Sequence, residues 1–305
     1  MNALSLNAQI KHIVNKHIWT NSLGLARTLF AISTLCNLFF NTDTTLGLVI
    51  SNSYEYSDLQ FYSIFQLFDN LYVSRFICYA ILALVTLGVY PKYICILHWW
   101  VSFSYLISSS MLEGGDQITS IMTFLLIPVL IFDKRHNHWS KKEYKVGFYP
   151  STIAIFTLFC IKIQVFIIYF SASTSKFAVK EWMDGTAIYY WFTDPVFGLN
   201  NKVLENFKFI LMNPIAVTVL TWGALAVELY LASILFWGSK RTKMISLILG
   251  MVLHLSFALV FGLWSFFLAM SGALVLYLIA DQNLTLSSFV SFKRYHSYEA
   301  VSYKV

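Results

Sequence analysis

Residues 244–280 read MISLILGMVLHLSFALVFGLWSFFLAMSGALVLYLIA, 37 positions with no aspartate, glutamate, lysine or arginine. As a single helix the stretch would run ~55 Å at ~1.5 Å per residue, against a bilayer hydrocarbon core of ~30 Å. It is therefore read as two helices that part near Phe261-Gly262-Leu263. Nothing this apolar is left in water, so lipid is the solvent that decides the fold.

Working outward, six further apolar blocks lie at 23–40, 74–90, 93–111, 115–132, 149–172 and 214–236. Each has about the 20 residues that a helical crossing requires. Eight spans follow, and the expected fold class is an all-α integral membrane bundle. Orientation comes from the cations. With both termini in the cytoplasm, Lys11, Lys16, Lys92, Lys134, Arg135, Lys141, Lys142, Lys145, Lys240, Arg241, Lys243, Lys293, Arg294 and Lys304 lie inside, 14 of the 21 basic residues. Arg75, Lys176, Lys180, Lys202 and Lys208 lie outside, with Arg27 and Lys162 inside the membrane. That bias favours this orientation.

Composition agrees, with 58% hydrophobic and 12% charged residues and no linker-like interruption. A single membrane domain over 22–280 is expected, followed by a cytoplasmic tail over 281–305. Residues 1–21 read as an interfacial amphipathic helix, with Leu6, Ile10, Ile13, Val14 and Ile18 on one side and Lys11, His12, Lys16 and His17 on the other. No small-residue cleavage pattern follows the first apolar block, so a removed signal peptide is not expected. The aromatic run Phe61 to Leu71 is expected along the outer surface. The net charge of +6 comes from short segments between apolar blocks, where it reports topology and excludes nucleic-acid binding. Cys36, Cys78, Cys95 and Cys160 fall inside apolar blocks at spacings unlike a metal or redox motif.

Function must sit in the exceptions. Charges inside spans are costly unless they meet a partner or a cavity. Counting depth along the helices puts Arg27 and Glu228 in the inner half with His254 near the middle, so an inner cluster of Arg27, Glu228 and His254 is expected. A structural ion pair is its plain reading and an ion or proton relay its alternative. Lys162, Phe166, Tyr169, Ser173 and Lys176 share one helical face and form a polar stripe that rises to Lys176. Lys176 is either a lysine snorkelling to headgroups or a general base. Glu113-Gly114-Gly115-Asp116-Gln117 makes a short turn at the same level. Its carboxylates are expected near Lys176, with Asp116 either an acid/base partner or the cap of the fourth helix. The loop Asp133-Lys134-Arg135-His136-Asn137-His138-Trp139 reads as a topology signal and headgroup contact. No G-x-S-x-G, H-E-x-x-H, P-loop or paired C-x-x-C occurs, and no metal site is expected.

Several stretches resemble the sporulation-delaying protein B family, whose HTTM domain is shared with vitamin K-dependent gamma-carboxylase. They are Gly24-Leu25-Ala26-Arg27-Thr28, His98 to Ser104, Gly114 to Ile118, Asp133-Lys134-Arg135 with His138-Trp139, and Tyr169-Phe170 through Lys176 to Glu181-Trp182-Met183-Asp184-Gly185. In carboxylase-like relatives the matching lysine acts as base on a reduced quinone, so the resemblance implies Lys176 as candidate catalytic residue. Asp116 stands near where those relatives carry a histidine. The cofactor stays open, and the chain ends soon after its last span without the large domain that presents peptide in the carboxylase, so glutamate carboxylation is not expected.

The resemblance further implies maturation of a secreted antimicrobial peptide from its precursor, protein C, beside a small partner, protein A. The expectation is a bacterial plasma-membrane protein, in contact with membrane lipids, whose outward cavity is lined by Lys176, Asp116, Glu113, Gln117, Tyr169, Ser173 and Trp182. Three hypotheses are carried forward: a non-enzymatic maturation factor, an enzyme using Lys176 on a peptide or a quinone-like lipid, and a transporter or immunity protein.

Overall fold

A computed structural model describes residues 18–42, 61–68, 70–110, 112–144 and 146–284. The interfacial helix expected before residue 18 and most of the 281–305 tail lie outside the described residues. Apart from one isolated bridge between Val89 and Asn137, the regular structure among the described residues is helical. The helices are α1 (Asn21–Phe40), α2 (Leu71–Thr86), α3 (Pro91–Ser108), α4 (Gly114–Leu130), α5 (Phe148–Lys176), α6 (Lys180–Met183), α7 (Ala187–Thr193), α8 (Asn201–Leu211), α9 (Pro214–Trp237), α10 (Lys240–Phe261) and α11 (Trp264–Ile279).

Eight of these coincide with the eight apolar blocks. Four of them, α1, α5, α9 and α10, are long and apolar enough to cross a membrane, and α2, α4 and α11 are shorter apolar helices. The expected split of 244–280 is present: α10 ends at Phe261, Gly262 follows with φ +75 and α11 begins at Trp264. Glycine takes that left-handed angle without a Cβ penalty.

Local chemistry sets the other boundaries. Thr20, Asn70, Asn200, Asn213 and Ser239 each accept a backbone N–H of the first helical turn that has no intrahelical partner. Pro91 and Pro214 open α3 and α9, where a missing N–H costs nothing.

The core is built around α11, whose residues 269–279 are buried on every side. It packs on α1, α10, α4 and α5. Small residues permit close approach: a Cβ on Gly272 would lie 2.9 Å from the Phe30 ring, and one on Gly115 2.9 Å from the Phe266 backbone. Polar ties replace the hydrogen bonds that lipid cannot offer. Thr20 Oγ1 donates to Ala280 O at 2.6 Å, Ser33 Oγ to Ser265 O at 2.8 Å and Tyr277 OH to Ala232 O at 3.0 Å.

A second core joins α1, α2 and α3 around Ile64 and Phe65. The aromatic run from Phe61 therefore turns inward at these two residues instead of lying wholly along a surface, because Ser104 and Ser74 bind the Ile64 backbone. The loop after α4 also departs from expectation. Lys134 and His136 are exposed, but Arg135 and His138 are buried, with Arg135 paired to Asp133 at 2.7 Å and donating to the His138 and Ser140 carbonyls. The His138 ring lies against Gly24 and Gly88, where a Cβ would come within 2.8 Å and 2.5 Å of it.

Candidate functional site

The 29-residue helix α5 carries Tyr169, Ser173 and Lys176 near its C-terminal end. Helical Cβ atoms lean toward the N-terminus, and the Lys176 side chain follows that lean: its Nζ donates to Ala172 O at 3.2 Å. The ammonium is thereby drawn back along the helix. It meets Glu228 Oε2 of α9 at 2.6 Å and lies 5.1 Å from the Trp182 ring centroid. Carboxylate, carbonyl and indole face together satisfy the cation.

The pair stands in the wall of a cavity of about 660 Å³. Tyr169 and His254 form its second polar pole, with Tyr169 OH 2.8 Å from His254 Nε2. His254 Nδ1 is buried without a hydrogen-bond partner. The remaining walls are apolar: Ile118 of α4, Trp191 of α7, Phe257 and Phe261 of α10, and Phe266 and Met270 of α11. The turn Val196-Phe197-Gly198 closes one side. Asp194 holds that turn by accepting the Val196 and Phe197 N–H groups at 2.8 Å each, and these bonds, Phe197's first, keep its carboxyl below the usual range.

The sequence-level candidates separate into three places. Lys176, Tyr169, Trp182, Glu228 and His254 line the chamber. Ser173 is buried beside it and spends its hydroxyl on Tyr169 O. Arg27 is elsewhere, which corrects the expected cluster of Arg27 with Glu228 and His254. Its Nη1 is 2.9 Å from His138 Nδ1. The reason is packing order, since α1 contacts α11, α4 and α2, whereas α9 contacts α5 and α10.

Glu113, Asp116 and Gln117 do not line the chamber, which corrects both their expected place in its wall and the expected approach of the Glu113 and Asp116 carboxylates to Lys176. Asp116 accepts Asn37 Nδ2 at 2.8 Å and the Glu113 N–H at 2.9 Å. Glu113 is the N-cap of α4, with Asp116 three residues on, and its Oε2 accepts Ser265 Oγ at 2.7 Å. Both carboxylates are thus used up in tying α4 to α1 and α11, and Gln117 is exposed. Sequence reasoning passed over Trp191 and the 194–198 turn. The available signals were the aromatic run Tyr189-Tyr190-Trp191-Phe192 and the Asp194-Pro195 turn pair.

The chain matches the HTTM domain family over residues 15–281. It is 35% identical over 292 residues to the sporulation-delaying protein SdpB of Bacillus subtilis (strain 168), covering 92% of this chain and 88% of that protein. It is also 36% identical over 266 residues to the uncharacterized protein YitO of the same organism, covering 85% of each. No solved structure matches it.

Proposed function

Because the chain belongs to the HTTM domain family, we propose that it is a multi-pass protein of the bacterial plasma membrane that matures a secreted antimicrobial peptide from its precursor beside a small partner protein. The near full-length similarity to a sporulation-delaying protein supports a place in such a toxin system. In this reading all eight long helices cross the bilayer, both termini are cytoplasmic, and the chamber receives the exported precursor at the outer face. The observation that carries the reading is the Lys176–Glu228 pair at 2.6 Å in the wall of an otherwise apolar chamber. A charge pair in the wall of an apolar chamber marks where a polar group of a ligand would be met.

An enzymatic version is favoured by the second polar pole, where His254 keeps an unpartnered nitrogen beside Tyr169. There Lys176 serves as base on the peptide or on a quinone-like lipid. An ammonium must first lose its proton to act so, and Glu228 is the acceptor in contact with it. Asp116, bonded to Asn37 and to the Glu113 N–H, is assigned a bracing role.

Mass spectrometry of the peptide secreted by cells carrying Lys176→Ala or Lys176→Arg, with membrane levels of each variant measured alongside, tests both versions. Loss of mature peptide with both variants at normal protein level is the enzymatic outcome. Loss with alanine alone marks a cation that only engages the precursor. Normal yield and mass with both variants would remove the chamber from the maturation reading.

A further inference from the structure

We propose that the flank formed by α9 and α10 beneath α8 is a binding site for one acyl chain of an anionic phospholipid, a proposal that stands apart from the maturation reading. A groove of about 410 Å³ runs there, distinct from the Lys176 chamber and separated from it by Ile188, Phe257 and Phe261. Its lining is apolar but for Ser256, whose hydroxyl is already spent on Leu253 O at 2.6 Å. Water has nothing to bond to in it. Both walls belong to helices long and apolar enough to cross a membrane, and Val219, Leu220 and Val252 on their rims are 63%, 44% and 57% exposed. In a bilayer these rims face hydrocarbon.

The dimensions fit one leaflet. From Leu249 to Phe261 the α10 wall advances twelve residues, or ~18 Å, and half of a ~30 Å hydrocarbon core is ~15 Å. At Gly223 the groove is widest open to substitution, since a Cβ there would meet nothing within 4 Å.

The roof gives the head group its sign. Phe207 and Ile210 of α8 cover the groove, while Lys202, Glu205 and Lys208 of the same helix are exposed. Lys208 is paired with Glu205 at 2.5 Å, so the net positive charge of this helix rests on Lys202, and a phosphate would emerge beside it from a chain seated below.

The test is native mass spectrometry of the full chain, released from nanodiscs of equal phosphatidylglycerol and phosphatidylcholine after detergent exchange. The wild type is expected to retain about one phosphatidylglycerol in several-fold preference over phosphatidylcholine. Gly223→Trp fills the groove and is expected to lose that lipid. Val252→Trp on the opposite wall is the second variant, should the first not fold, and is expected to do the same. Lys202→Gln with Lys208→Gln is expected to keep a lipid but lose the preference. Absence of any retained lipid, equal retention of both lipids by the wild type, or unchanged retention in folded Gly223→Trp and Val252→Trp each overturns the proposal.

Discussion

Lys176, half-buried, and His138, buried, are basic side chains held by different partners. Lys176 is met by Glu228 at 2.6 Å, with side-chain exposures of 20% and 7%. Removing one member of a buried pair costs about 3–5 kcal/mol, and the partial exposure of Lys176 lowers the expectation to about 1–3 kcal/mol. Lys176→Met and Glu228→Gln should each destabilise the detergent-solubilised protein by that amount. The double variant should fall short of the summed loss by ~1 kcal/mol or more, because the second substitution removes the charge that the first stranded. Strictly additive losses would deny the pair any energetic coupling. His138, by contrast, stays neutral, since its Nδ1 accepts from Arg27. Burial first, then Arg27 and Arg135, lower its pKa from 6.5 to about 2. Below pH 6.5 the unfolded chain therefore takes up a proton that the folded chain refuses, so this share of stability is whole above pH 6.5 and declines as pH falls toward 2. Unfolding measured at pH 7.5 and 5.0 should show wild type losing more stability than His138→Asn, by up to ~1.4 kcal/mol per pH unit below 6.5. Parallel losses would mean that His138 does not carry this linkage.

At the scale of elements, what local spacing can say was readable and what distant packing decides was not. The stripe on α5 follows from helical period alone, and Tyr169 and Lys176 do line one chamber. The break at Gly262 follows from a hydrophobic stretch too long for one crossing. Arg27 was misassigned because depth along a helix says nothing about which neighbour shares that depth. His138 was underrated because a basic loop between apolar blocks has the composition of a solvated one, and only the fold brings Gly24 and Gly88 against its ring. Two of the three left-handed glycines among the described residues separate conformation from contact. Gly262, with φ +75, has open space around it, while Gly88, with φ +83, would place a Cβ 2.5 Å from His138 Cδ2. Gly262→Ala should therefore cost only backbone strain, about 1 kcal/mol. Gly88→Ala adds a steric conflict with a ring held by Arg27 and should cost at least ~2 kcal/mol more, in the range of overpacked core sites. Equal losses in urea or thermal unfolding would show that the 133–140 loop yields to the intrusion and is not fixed against the α2–α3 turn.

For the whole molecule, the bundle has a directional consequence that a reporter can read. The last of the described helices, α11, is surrounded by α1, α10, α4 and α5, and Thr20 is tied to Ala280 across the start and end of the described chain. The beginning of α1 and the end of α11 therefore lie together at one end of the bundle. Arg135 and His138 join that end through Arg27, which sits six residues into α1. The opposite end carries the termini of α5 and α10 at Lys176 and Phe261, with α6, α7 and α8 between α5 and α9. The 14 cations assigned to the cytoplasm include Lys134, Lys141 and Lys142 of the Arg135 loop, and the five assigned outside include Lys180, Lys202 and Lys208 of the segment that covers the chamber. The geometry and the positive-inside bias thus sort the same segments into the same two groups, although one rests on hydrogen bonds and the other on charge counts. Alkaline phosphatase joined after Asn200 should be active and green fluorescent protein there dark, with the reverse for fusions at His136 and after Gln282. Active phosphatase at both His136 and Asn200 would mean that α5 does not cross, and the chamber with its lysine would then face the cytoplasm, out of reach of an exported precursor.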